Sequence, residues 1–176
     1  MKKTFIWILP VVMLGLAGCS SNVTRSTVAG AKPIATLSTQ PQKVATVKVK
    51  LSPTAQTQLA ENLKFDPTRF SDTLQRGLNA KNLVTADSQQ DLVVEITDIR
   101  VRSTFSAVMW GFMAGNDHVV GTVSVIDKAG RLLQSFEVSA SYALGGVMGG
   151  DESRMSWLYE KFTEHVLKEL SGTAAS

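Results

Sequence analysis

The chain has 176 residues, 44% of them hydrophobic, and 18 basic against 15 acidic side chains give a formal charge of +3. Residues 1–18 hold two lysines and no acid, so the 158 residues after them carry 16 cations against 15 anions, a net charge of +1. That near-neutral balance lacks the clustered Lys and Arg on which nucleic-acid binding rests, and the length suits one domain of ordinary size.

Lys2 and Lys3 precede an apolar run from Thr4 to Leu16, interrupted by Pro10. The run is too short to cross about 30 Å of hydrocarbon, which needs about 20 residues. It ends in Leu16-Ala17-Gly18-Cys19, followed by Ser20 and Ser21. A basic start, an apolar core and small residues before a cut site form an export signal. The ending resembles the lipobox of bacterial lipoprotein precursors. The resemblance implies cleavage after Gly18 and acylation of Cys19 with diacylglyceryl and palmitate-type chains. Cys19 is the sole cysteine of the chain, so its acylation leaves no thiol for a disulfide or a catalytic nucleophile. Ser20 in second place resembles the pattern that sorts lipoproteins to the outer membrane.

Ser20 to Gln42 is rich in Ser, Thr and Ala, with Pro33 and Pro41 as breakers. It has no sustained period and reads as a tether. As a flexible coil it would span about 25–30 Å. The expected organisation is therefore a removed signal at 1–18, a lipidated Cys19 and tether over 19–43, one domain over 44–172 and a short tail at 173–176.

Val47, Val49 and Leu51 alternate with Lys48 and Lys50, which predicts a half-buried strand. Ser52-Pro53 starts a short helix carrying Leu59 and Leu63. Asp66-Pro67 is a stronger helix start, an N-cap acid followed by proline in the first turn. Phe70, Leu74 and Leu78 then form an apolar stripe to about Lys81. From Asp91, Leu92, Val94 and Ile96 share one face, and Ile99 and Val101 continue on the other parity. A bulge near Thr97-Asp98 restores both sets to one face. Two further strands flank Lys128-Ala129-Gly130, a hairpin signal. The last helix carries Met155, Leu158, Phe162, Val166 and Leu170 as a core stripe, with Asp151 and Glu152 at its positive end and Lys168 near its negative end. The predicted fold is α+β in the order β-α-β-β-β-α: an antiparallel sheet of about four strands with two main helices packed on one face.

The segments DLVVEITDIRVRS, FSAVMWGFMAG and HVVGTVSVIDKAGRLLQSFEVSA, within Leu83 to Gly150, resemble a bacterial envelope lipoprotein family of unknown function. The resemblance implies a periplasm-facing α+β domain and supplies no catalytic residue.

Candidate chemistry is sparse. The histidines are His118 and His165. Asp117, His118 and a serine could form a triad in space, but no nucleophile elbow frames one. No His, Cys or Asp spacing suits a metal. The glycines before Asp151-Glu152 lack the Lys-Ser/Thr of a phosphate loop. No catalytic, metal or cofactor residue is therefore expected. Two connections are apolar, and they hold Met109, Trp110, Phe112 and Met113 in one and Val147 and Met148 in the other. Strand direction brings both to one end of the sheet. They either cap the core or form a docking surface, because exposed apolar patches mark interaction sites.

The expectation is an outer-membrane lipoprotein, attached to the membrane through Cys19. Its domain would act in the periplasm as a non-enzymatic accessory or interaction module with an envelope protein partner and no nucleic acid. A carrier of lipid or another apolar ligand is the alternative, and a hydrolase of unknown type the third reading.

Overall fold

The computed structural model describes residues 21–24, 41–61, 64–102, 115–142 and 150–172. Five strands and three helices follow in chain order: β1 (Ser21–Thr24), β2 (Thr46–Leu51), α1 (Pro53–Glu61), α2 (Pro67–Ala80), β3 (Gln90–Arg100), β4 (Asp117–Asp127), β5 (Leu132–Tyr142) and α3 (Asp151–Leu170). They build one mixed sheet in the order β1-β5-β4-β3-β2.

The α+β class is as expected, but the details are corrected. The sheet has five strands rather than four and is not wholly antiparallel, while the short helix expected from Ser52-Pro53 forms as α1 beside the two main helices. Strand β2 runs parallel to β3, with Val47 opposite Leu92 and Leu51 opposite Ile96. The reason is the connection. Two helices lie between these strands, and a crossover of that length returns the chain in the same direction, whereas a tight hairpin would reverse it. The fifth strand comes from the stretch read as tether. Ser21–Thr24 pairs antiparallel with β5, Ser21 opposite Ala140 and Thr24 opposite Glu137.

The local signals hold where they are strong. Asp66 caps α2, its carboxylate accepting from the Thr68 N–H at 2.9 Å and the Arg69 N–H at 3.1 Å, with Pro67 in the first turn. The register between β3 and β4 shifts between Ile96 and Asp98, so Leu92, Val94, Ile96 and Ile99 are all buried. The bulge stands where the parity of the apolar residues requires it. Lys128–Gly130 turns the β4–β5 hairpin. Gly130 has φ +79°, a left-handed conformation that glycine adopts without steric cost.

Helix α1 replaces strand at the sheet edge. β2 stops at Leu51, opposite Ile96, and α1 continues beside β3. Gln58 does the work of a ladder: its Oε1 accepts from the Ile99 N–H at 2.8 Å, and its Nε2 donates to Asp98 at 2.6 Å. The first of these bonds satisfies a backbone donor that an open edge would leave to another chain.

The core lies between the sheet and α2 and α3. All five residues of the expected α3 stripe, Met155, Leu158, Phe162, Val166 and Leu170, are buried. Phe70, Phe162, Tyr159 and Phe65 stack edge-on, with Phe70 and Phe162 ring centres 5.1 Å apart. Two glycines permit close approach. A β-carbon on Gly121 would lie 3.1 Å from the Phe162 ring and 3.0 Å from the Glu95 carbonyl oxygen, and one on Gly77 would lie 2.6 Å from Thr163 Cγ2. Phe162 therefore rests on the bare backbone of β4, and α2 crosses α3 at Gly77. No helix of the described residues is long and apolar enough to cross a membrane.

Candidate functional site

Strands β3 and β5 end, and β4 begins, at the same end of the sheet. A network of ionised side chains is built there. Asp117 is fully buried, and the Arg102 and Arg154 side chains are 2% exposed. The Asp117 carboxylate accepts from the Arg102 N–H at 2.7 Å, Arg102 Nε at 3.2 Å, Arg102 Nη2 at 3.3 Å and Arg154 Nη1 at 2.6 Å. Four donors saturate the acceptor sites of a carboxylate. Asp117 therefore has no lone pair left for a metal or a substrate, and its task is to hold. Arg154 Nη2 donates to the Arg102 carbonyl oxygen at 3.4 Å and also bonds Asp151. Lys64 reaches Asp151 at 2.6 Å and donates to the Arg102 carbonyl oxygen at 3.3 Å.

The chain positions of these groups explain the arrangement. Arg102 stands where β3 runs into residues 103–114, and Asp117 where β4 starts after them. Asp151 and Arg154 open α3 just after residues 143–149. The network thus ties together both ends of the first connection and the far end of the second. A buried ion pair loses much of its Coulomb gain to desolvation, so net stability is a weak reason for its presence. What it supplies is geometry, since a bidentate guanidinium–carboxylate pair fixes distance and angle.

On the opposite face of the sheet, His118 Nε2 lies 2.8 Å from Asp98 Oδ2. Burial pushes the Asp98 carboxyl up, but the hydrogen bonds from Gln58 and His118 outweigh it and hold its pKa below the ordinary value. Asp117 and His118 are not brought together. Successive residues of a strand point to opposite faces, so Asp117 enters the core and His118 faces outward to Asp98. Ser141 stands opposite His118 on β5.

His165 lies partly buried on α3, and burial lowers its pKa despite the raising effect of Glu164. The acids opening α3 are engaged as well. Asp151 meets Lys64 and Arg154, and Glu152 meets Arg69 at 3.1 Å. Among the described residues, no group of three metal-ligating side chains converges. Tyr142 and Trp157 pack edge to face at 5.3 Å beside the network.

Leu16, Ala17, Gly18 and Cys19, and the six residues of the expected docking surface, Met109, Trp110, Phe112, Met113, Val147 and Met148, lie outside the described residues. The sequence reading missed Arg102 and Arg154. Arg154 carries a faint signal, since it lies one turn before Leu158 and so falls beside the core stripe. Arg102 carries none, because Arg100 and Arg102 alternate with apolar residues as an outward strand face would.

Several solved structures have a related shape. A PelC dodecamer from Paraburkholderia phytofirmans is 13% identical, with 86% of this chain and 98% of that chain covered and a TM-score of 0.47. A second PelC dodecamer structure from the same organism is 16% identical, with the same coverage and a TM-score of 0.43. A minor lipoprotein from Acinetobacter baumannii is 9% identical over 73% of this chain and 93% of that one, with a TM-score of 0.40. These likenesses are too distant to transfer an activity or an assembly to this chain. No curated protein matches it in sequence. Residues 33–146, well over half of the chain, match the family described as domain of unknown function DUF4410, and the protein belongs to that family.

Proposed function

We propose that this protein is a bacterial envelope lipoprotein, acylated on Cys19 and held in the outer membrane, whose domain faces the periplasm as a non-enzymatic accessory module for an envelope protein partner. The observation that carries the reading is the sequence Leu16-Ala17-Gly18-Cys19 after a basic and apolar leader, with the only thiol of the chain at the acceptor position. Two or more acyl chains make a lasting anchor, where one alone binds only marginally. The buried network supports a binding role over a catalytic one. Its carboxylate spends every acceptor site on protein donors, which suits a scaffold that fixes the bases of two connections. Labelled palmitate fed to cells tests the anchor. Label is expected on the parent chain and lost in Cys19→Ala, and equal label on both would refute acylation at this residue.

A further inference from the structure

The sheet has two faces, and α2 and α3 take one of them. Val94, Val123, Phe136 and Val138 are buried on that side, while the residues that alternate with them are not. The strand register sets the second face out in rows. Lys48, Val93, Ser124 and Ser135 form one row across β2, β3, β4 and β5. Lys50, Glu95, Thr122 and Glu137 form the next. Small side chains fill the middle, where Ser124 Oγ and Ser135 Oγ lie 3.4 Å apart. Cations stand on β2, at one side, and an anion on β5, at the other. Lys50 reaches Glu95 at 2.9 Å, but Lys48 and Glu137 make no ion pair among the described residues.

We infer that this face is a contact between two copies of the chain, packed sheet on sheet about a two-fold axis that runs along the strands between β3 and β4. Under that symmetry β2 of one copy lies over β5 of the other, and β3 lies over β4. The occupant of the face is a second copy of this protein, and the inference does not depend on acylation of Cys19.

Three observations lead to it. The first is charge. This axis sets Lys48 and Lys50 of each copy against Glu137 of the other, and an isologous contact repeats the attraction at both ends. An axis across the strands would lay β2 on β2 and lysine on lysine, which like-charge repulsion disfavours. The face is thus complementary to itself in one orientation. The second is relief. Sheets stack about 10 Å apart, and the Ser, Thr and Val side chains beside the axis leave a level surface for that approach. At the hairpin margin Leu132, opposite Ile126, is 46% exposed, and a second copy would cover it. The third is area. Four strands and eleven residues outline about 19 Å by about 36 Å, or about 700 Å², of the order of the ~800 Å² that each partner brings to a standard interface.

The test is cross-linking in cells that make the full chain, with a short membrane-permeant bis-maleimide. Thr122→Cys puts a thiol beside the axis, and Ser124→Cys repeats the test one row along. Ala80→Cys puts a thiol on the exposed end of α2, and the parent chain is the blank. A product of twice the mass is expected from the first two and not from Ala80→Cys, with peptide masses identifying the joined pair as 122–122 or 124–124. Glu137→Lys in the Thr122→Cys background is expected to lower the product by about tenfold or more, because it sets like charges face to face at both ends. Adding Lys48→Glu is expected to restore most of it. Unfolding midpoints matching the parent confirm that the variants fold. No product at either position in folded protein, equal product from Ala80→Cys, a product joined to a different protein, or a Glu137→Lys loss that Lys48→Glu does not repair overturns the inference. None of these outcomes touches the reading of Cys19.

Discussion

Strand β4 begins at Asp117 and ends at Asp127, and the two carboxylates are held in contrasting ways. Asp127 accepts from the Ala129 N–H and the Arg131 N–H, both at 2.9 Å, and from Arg131 Nε at 2.7 Å. All its partners lie within four residues of it, in a solvated hairpin. Asp117 takes its partners from Arg102 and Arg154, 15 and 37 residues away in the chain. A locally closed turn forms wherever its residues occur in that order, and its ion pair is screened by water. A buried network forms only after three elements have packed, and then every member depends on the others. The hairpin end is thus self-sufficient, while the network end records the whole fold.

The largest expected effect tests that contrast directly. Asp117→Asn removes the anion that the buried Arg102 and Arg154 guanidiniums share, leaving Arg154 its pair with Asp151, and is expected to cost about 3–5 kcal/mol, the range for breaking a buried pair from one side. Asp127→Asn removes a solvated partner and is expected to leave the unfolding midpoint close to the parent. Urea unfolding of both variants decides it, and equal shifts would mean that the two ends are not distinguished by burial.

The middle of the same strand sets a scale between the ends. Phe162 rests on Gly121, and Leu158 is fully buried beside it. Phe162→Ala or Leu158→Ala is expected to cost about 2–5 kcal/mol through lost burial and the cavity left behind. Midpoints indistinguishable from the parent would place the core elsewhere than between α3 and β4.

A smaller effect is expected where the two helices cross. Gly77→Ala gains helix propensity of about 1 kcal/mol but drives a methyl into Thr163 Cγ2, and overpacking costs about 1–3 kcal/mol. The net expectation is a loss of about 1 kcal/mol. Thr163→Ser removes the opposing methyl, so the double variant is expected to recover part of the loss in a double-mutant cycle. Strict additivity would show that the crossing relaxes freely.

The smallest effect belongs to the hairpin end and is read by pH. The Asp91 pKa is held low first by the hydrogen bond from Lys128 and then by that from Thr46. The Asp127 pKa is held low first by the backbone N–H of Arg131. Carboxyls with depressed folded pKa values add stability that is present above the unfolded value of 3.8 and is lost as pH falls through the folded value. Stability is therefore expected to drop with acid below about pH 4. Lys128→Ala should flatten that drop slightly, and added salt should mimic it. An unchanged acid limb would show that the Lys128–Asp91 pair is silent in solution.

Much of the fold is legible in the residues. Periodicity alone places the α3 stripe from Met155 to Leu170, because a helix returns to the same face every three or four residues. Asp66-Pro67 marks the start of α2, because the first-turn N–H groups need an acceptor and proline lacks one to leave orphaned. The change of parity after Ile96 reveals the bulge, because a strand cannot otherwise keep both apolar sets on one face. Each of these signals is local: the residues that carry it are also the residues that form the element.

Tertiary structure decided what depends on neighbours distant in the chain. The side chains of β2 show that it is a strand but not whether it runs parallel to β3. That direction follows from how α1 and α2 pack before the chain returns. Strand β1 has one apolar residue, Val23, in four. Backbone bonds to β5 hold it, and backbone bonds leave no side-chain pattern to read. Arg102 and Arg154 resemble solvated residues until Asp117 is brought between them. A buried charge is tolerable only beside its counter-charge, and only the folded chain supplies that neighbour.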